Sequence, residues 1–186
     1  MRKLKLQMNI TTDGFVAGPN GELDWMSTSM EGPQLKILTA ITESIDTIVM
    51  GRGMVREFTE YWENVVDNQP ESPEYKFAKI FVDTPKVVFS RSAKNLPGRN
   101  VRVENGTLAE KINELKKQKG KDIIVYGGAT FVSSLLEEKL IDDLYLFINP
   151  VALGAGRAIF RNRAELKVIS SELFPNGIIA NHYQQK

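Results

Sequence analysis

The chain contains no cysteine and a single histidine, His182. Without thiols there can be no disulfide, iron–sulfur cluster, thiolate nucleophile or sulfur-ligated zinc. One histidine near the end of the chain gives neither a histidine-rich metal site nor a Ser-His-Asp triad a basis, so no metal is expected. An excess of one charge is also lacking: Lys+Arg 24 against Asp+Glu 23 leaves a formal net charge of +1. A protein built to grip a nucleic-acid backbone or an anionic membrane carries a cationic surplus, so neither partner is expected. No apolar run approaches the roughly 20 residues of a membrane span. Met1-Arg2-Lys3-Leu4-Lys5 alternates charge and leucine where a signal peptide would carry an apolar core. A cytoplasmic location is the expectation.

What is present is 186 residues, 42% of them hydrophobic. That suits one globular domain, 1–186, with a sizeable core. Leu4 to Ile10 alternates with period two, the pattern of a half-buried strand, and Asp13-Gly14 and Gly18-Pro19-Asn20-Gly21 mark turns. Apolar residues at helical spacing predict a helix over about 31–45, followed by a buried strand, Thr47 to Met50, ending at Gly51. Helical stretches over 55–62 and 74–81 flank a polar segment containing Pro70 and Pro73.

From Lys86 the pattern alternates: strands at 87–89 and 101–103, a helix over 107–119, a strand at 122–126 and a helix over 129–140. Thr107 and Glu110 have the spacing of a capping box. Strands at 143–148, 167–169 and 178–180 close the chain, with a Gly154-Ala155-Gly156 turn between. Strand–helix alternation followed by terminal strands predicts an α/β sandwich around a mixed sheet, with antiparallel strands at one edge. The apolar alternation of Asp143 to Ile148 predicts an exposed strand suited to pairing with a second copy.

Three strands end in small or cationic residues: Met50-Gly51-Arg52-Gly53, Phe89-Ser90-Arg91-Ser92 and Tyr126-Gly127-Gly128-Ala129-Thr130. In α/β sheets ligands sit beyond the carboxyl ends of strands. Glycine lets the backbone approach a phosphate, a helix N-terminus offers free N–H donors, and arginine supplies a planar fork for phosphate oxygens. Arg52 and Arg91 therefore read as clamps for a phosphorylated ligand. Neither Gly-x-Gly continues to the third glycine of a Rossmann fingerprint, and there is no P-loop.

These tips, together with Thr12-Asp13-Gly14, Trp25, Leu140-Ile141-Asp142-Asp143-Leu144 and the run Asn149 to Gly156, resemble a known family in order over residues 3–160. The chain is similar to dihydrofolate-reductase-like proteins, above all to the reductase domain of the bifunctional riboflavin-biosynthesis deaminase-reductase. The resemblance implies a three-layer α/β/α sandwich around a mixed, mostly parallel sheet with antiparallel C-terminal strands. It also implies NADPH as hydride donor, a small heterocyclic substrate and a homodimer formed through the late strands. The family's first phosphate turn falls on Gly51, Arg52, Gly53 and Met54, its 2′-phosphate turn on Ser90, Arg91 and Ser92, and its pyrophosphate turn on Gly127, Gly128, Ala129 and Thr130.

Asp13 and Tyr126 are the candidate catalytic residues, as groups that could pass a proton. Asp24, Trp25, Phe58 and Gly154 are candidate substrate contacts, with Trp25 and Phe58 able to sandwich a flat ring. Three readings follow: a reductase like the riboflavin-pathway enzyme, a pterin or folate reductase, and an NADP-binding protein without turnover. The stretch Gly32-Pro33-Gln34-Leu35-Lys36 lacks the first-helix carboxylate with which dihydrofolate reductase handles the pterin, which weighs against the second.

Overall fold

The computed structural model describes residues 1–26 and 32–186. Ten strands and five α-helices follow one another among these residues: β1 (Leu4–Thr11), β2 (Phe15–Ala17), α1 (Gly32–Glu43), β3 (Ile45–Gly51), α2 (Val55–Asn68), α3 (Tyr75–Asp83), β4 (Lys86–Phe89), β5 (Val101–Glu104), α4 (Leu108–Lys117), β6 (Asp122–Val125), α5 (Ala129–Glu137), β7 (Asp143–Asn149), β8 (Arg157–Ala158), β9 (Leu166–Leu173) and β10 (Ile179–Gln185). Glu31, where the expected first helix begins, lies outside the described residues. Eight strands form one sheet in the order β5-β4-β3-β6-β1-β7-β10-β9, and β2 pairs with β8 separately. Pairing from β5 through β7 is parallel, whereas β10 is antiparallel to both β7 and β9.

Period-two alternation sends the two halves of each central strand into different cores. Leu4, Leu6, Val49, Val125 and Leu144 pack with Ile112 and Leu115 of α4 and Val132 and Leu135 of α5. On the other face Ile48, Met50, Val88 and Ile124 pack with Ile41 of α1, Val55 of α2 and Phe81 of α3. A smaller cluster joins Phe147 to Phe174, Ile178 and Ala180, against Ile37 and Leu38. Helices thus cover both faces, as the layered sandwich requires.

Three local expectations are corrected. The strand at 143–148 is internal, flanked by β1 and β10. Leu144 and Leu146 enter one core while Phe147 enters another, and apolar residues on both faces mark a buried strand. Exposed apolar side chains stand instead on the edge strand β9, at Val168, Ile169 and Leu173. Thr107 is the N-cap of α4, but its hydroxyl bonds the Glu110 carboxylate rather than a backbone N–H, so the capping box is not formed. The helix at 129–140 ends at Glu137, because Lys139 turns left-handed (φ 53°) and Lys139 and Leu140 donate back to Leu136 O and Leu135 O.

Candidate functional site

The sheet order explains why the three glycine- and arginine-bearing tips meet. β3 lies between β4 and β6, parallel to both, with Gly51 level with Phe89 and Val49 level with Val125. Gly51, Ser90 and Gly127 therefore leave the same edge of the sheet on neighbouring strands.

Close packing binds these turns to one another. A β-carbon at Gly51 would lie 2.8 Å from Cβ of Phe131 in the first turn of α5, and the Phe131 ring stacks on Phe89 at 5.5 Å. Met54 closes the short 3₁₀ turn Arg52–Met54, and its Sδ would lie 3.0 Å from a β-carbon at Gly127. Gly128, the N-cap of α5, sits at φ 65°, a left-handed conformation that favours glycine. No side chain caps this helix and no acid stands in its first turn, so its N–H groups and positive dipole end face outward uncompensated.

The third turn is held by its own side chains. Ser90 Oγ accepts from the backbone N–H groups of Ser92 (3.3 Å) and Ala93 (3.0 Å), and the Asn105 amide donates to Ser90 O and Ala93 O. Arg91 and Ser92 are exposed at its apex. Most described arginines are paired, Arg2 with Asp46 and Arg99 with Asp67 among them. The Arg52 and Arg91 guanidinium groups have no ion pair or hydrogen bond among the described residues, so both are free to take an anion. Nothing lies within 4 Å of a β-carbon at Gly53, and Thr130 is exposed on the outer side of α5. The cofactor-side residues expected from sequence thus lie on three adjoining turns, with glycines where backbone approaches closely and cations unpaired.

The other candidates divide. Asp13 is exposed, but both carboxylate oxygens are committed: Oδ1 accepts from Thr11 Oγ1 (2.5 Å), and Oδ2 accepts from the N–H groups of Leu153 (3.0 Å) and Gly154 (2.7 Å). The Thr11 hydroxyl, followed by the Gly154 N–H, holds this carboxyl below the ordinary carboxylate range. Thr12 strengthens the same tie by donating from N and Oγ1 to Val151 O. Asp13 thus fastens the loop after β1 to the loop after β7, with Gly154 at φ 72° as its partner turn.

Phe58 and Tyr126 lie in an aromatic nest, Phe58 against Trp62, Phe81 and Tyr126 at 6.2, 5.7 and 6.4 Å between ring centres. Burial pushes the Tyr126 phenol well above its ordinary range, and its hydroxyl lies beside Thr42 without a well-formed hydrogen bond. This phenol keeps its proton at neutral pH. Trp25 is half-buried and donates from Nε1 to Glu22 O (3.2 Å), Asp24 beside it is exposed, and the Trp25 ring contacts no other described ring. The Trp25 and Phe58 rings are not in direct contact with each other.

Sequence reasoning missed the polar half of β1. Gln7 and Asn9 read as the exposed side of a half-buried strand, but β1 is interior, between β6 and β7. The signal was their alternation with Leu6, Met8 and Ile10, which is equally consistent with a solvent face and with a cleft wall.

A family model described as the RibD C-terminal domain matches residues 2–180. The protein YyaP of Bacillus subtilis (strain 168) is 32% identical over 181 residues, covering 96% of this chain and 92% of its own length. Among solved structures, the Thermotoga maritima diaminohydroxyphosphoribosylaminopyrimidine deaminase/5-amino-6-(5-phosphoribosylamino)uracil reductase has a TM-score of 0.68 at 16% identity, over 100% of this chain and 57% of that one. An Enterococcus faecalis dihydrofolate reductase complexed with NADP(H) has a TM-score of 0.60 at 16% identity, over 99% of this chain and 96% of that one. The fold is therefore the dihydrofolate-reductase-like one that the ordered motifs implied.

Proposed function

The chain belongs to the RibD C-terminal domain family, and from that premise we propose that it is an NADPH-dependent reductase adding hydride to a C=N or C=O bond of a small heterocycle, in the manner of 5-amino-6-(5-phosphoribosylamino)uracil reductase. The observation that carries the reading is the set of three adjoining turns with free Arg52 and Arg91 beside an uncapped α5. Their chemistry suits a dinucleotide with an extra phosphate: N–H donors of α5 for the pyrophosphate, Arg52 beside it, and Ser90, Arg91 and Ser92 for the 2′-phosphate. When bound, NADPH supplies the hydride, and a proton from water completes the reduction. The protein's part is to orient the reactants and keep the site dry and polarised. α1 carries no acid in its first turn, and Gln34 within it accepts from Asn176 Nδ2 at 3.2 Å, which favours this reading over a pterin reductase.

Titration with NADPH and with NADH, followed by Trp25 and Trp62 fluorescence, tests the proposal. A charge-assisted bond of roughly 1.5–3 kcal/mol to the 2′-phosphate corresponds to about ten- to a hundredfold preference for NADPH. Arg91→Ala is expected to remove that preference and leave NADH affinity unchanged. Equal loss for both nucleotides would take Arg91 off the 2′-phosphate, and no binding of either to the parent protein would end the reductase reading.

The proposal includes a homodimer. Edge strand β9 presents Val168, Ile169 and Leu173 beside unpaired backbone groups, a surface suited to a second copy. Light scattering at micromolar concentration is expected to give twice the chain mass, and Leu173→Lys the single mass. A monomeric parent protein would refute it.

A further inference from the structure

β1 is an interior strand of an eight-stranded sheet, yet one half of it is polar. Interior strands ordinarily carry apolar side chains on both faces, so a polar column there calls for a purpose. In register, Gln7 lies beside Tyr145, Asn9 beside Phe147, and Thr11 beside Asn149, all on one face. Lys5, first in the column, is occupied with Ser44 and Asp122. Gln7, Asn9 and Asn149 remain, three neutral carboxamides toward the carboxyl ends of β1 and β7. The next strand beyond β1 is β6, whose tip is the double glycine.

The hydrogen bonds fix how two of the amides are turned. Asn149 Nδ2 donates to Phe147 O (3.0 Å) and to Asn9 Oδ1 (3.1 Å). The nitrogen must face that backbone carbonyl, so Asn149 Oδ1 is an acceptor without a donor among the described residues. Asn9 Oδ1 is taken, and its Nδ2 has no partner among the described residues. The Gln7 amide has no partner among the described residues. None of these atoms is sealed off: the described buried side-chain atoms without a partner are Tyr126 Oη and Gln185 Oε1. Gln7 and Asn9 are half-buried, and Asn149, which carries the spare acceptor, is 2% exposed.

We infer that Asn9 and Asn149, with Gln7 beside them, determine specificity by recognising the N–H/C=O edge of a neutral cyclic amide. A donor and an acceptor carried by two hydrogen-bonded amides match a lactam edge, whose C=O accepts and whose adjacent N–H donates. No formal charge is offered, so the ring is bound uncharged, and any phosphate on it is left to arginine. A site built to hydrogen-bond a group rejects the analogue lacking it, because its own polar atoms are then left unpaired. The inference rests on the proposed reductase and names which edge of its substrate is read.

The test uses the full chain, with and without saturating NADPH, and two probes: uracil, which has lactam N–H groups, and 1,3-dimethyluracil, which has lost them. Binding is read from the side-chain NH₂ resonances of Gln7, Asn9 and Asn149. Uracil is expected to shift the Asn9 resonance saturably, and 1,3-dimethyluracil to bind at least tenfold more weakly. Asn9→Leu is expected to lose the preference. Asn9→Asp, which keeps the shape and replaces the donor by an acceptor, is expected to do the same if the leucine variant folds poorly. Equal binding of the two probes, no saturable binding of uracil, or a preference that survives in Asn9→Asp would overturn the inference. NADPH titrated in the same samples separates the two claims, since its failure to bind sinks the reductase and leaves the amide result standing by itself.

Discussion

Gly51→Ala is expected to lower the unfolding free energy by about 1–3 kcal/mol and to weaken NADPH binding at least tenfold, whereas Gly53→Ala leaves the unfolding free energy near the parent value. The two glycines flank Arg52 in one turn but are glycines for different reasons. Gly51 has φ −79° and ψ 150°, an extended conformation open to any residue, so backbone freedom is not what it supplies. It supplies room, since an added β-carbon would meet Phe131 Cβ at 2.8 Å and Cγ at 3.1 Å. Cβ of Phe131 is fixed to the backbone of α5, and its ring is stacked on Phe89, so relief requires the first turn of α5 to move. That movement carries the N–H groups proposed for the pyrophosphate away from the Arg52 turn, which is why stability and affinity fall together. Gly53 has nothing within 4 Å of a β-carbon. Chemical denaturation and NADPH titration of both variants decide the matter. A Gly51→Ala protein as stable and as tightly binding as its parent would show that α5 and β3 are not in obligatory contact.

The three turns at the tips of β3, β4 and β6 were legible in the sequence because their signals are local. A glycine and an arginine just beyond a short apolar run specify a strand tip whichever strands adjoin it, and the ordered family motifs then supplied the sheet. What was not legible depends on strand order. The alternation Leu6-Gln7-Met8-Asn9-Ile10 reads the same at an edge as in the centre, and only the position of β1 between β6 and β7 makes its polar half a wall inside the sheet. β7 was misjudged for the converse reason: Phe147 faces the Phe174 cluster, which the chain supplies some thirty residues later. Asp13 was legible as a turn residue, but the partners it fastens, Leu153 and Gly154, are brought to it by the pairing of β1 with β7.

Lys86→Met is expected to destabilise the protein by about 2–4 kcal/mol at neutral pH, and by more at pH 10. Lys86 begins β4 and is 2% exposed, with its Nζ donating to Phe81 O (2.7 Å), Val82 O (3.1 Å) and Thr84 O (2.9 Å). It thus caps the C-terminal end of α3 from within the core. Two effects oppose each other in the variant: methionine removes a buried charge, which favours it, and leaves carbonyl oxygens without a donor, which disfavours it by about 1–3 kcal/mol each. Asn100 Nδ2 still donates to Val82 O, so two carbonyls, Phe81 O and Thr84 O, lose their side-chain donor outright. The carbonyl loss prevails. Burial pushes the ammonium down to about 8 from 10.5, with Glu63 and Asp83 opposing. Between those two values the unfolded chain binds more protons than the folded one, so the parent protein gains stability as pH rises through this window. The shift sets a ceiling of roughly 3 kcal/mol on that gain. Below pH 8 the cost of burying the charge is constant, and the two proteins should run in parallel. Guanidinium denaturation of parent and variant at pH 7 and pH 10 measures both parts. A gap that stays constant as pH rises would mean that Lys86 keeps its ordinary affinity for protons in the folded state, and one that narrows would mean that folding raises that affinity.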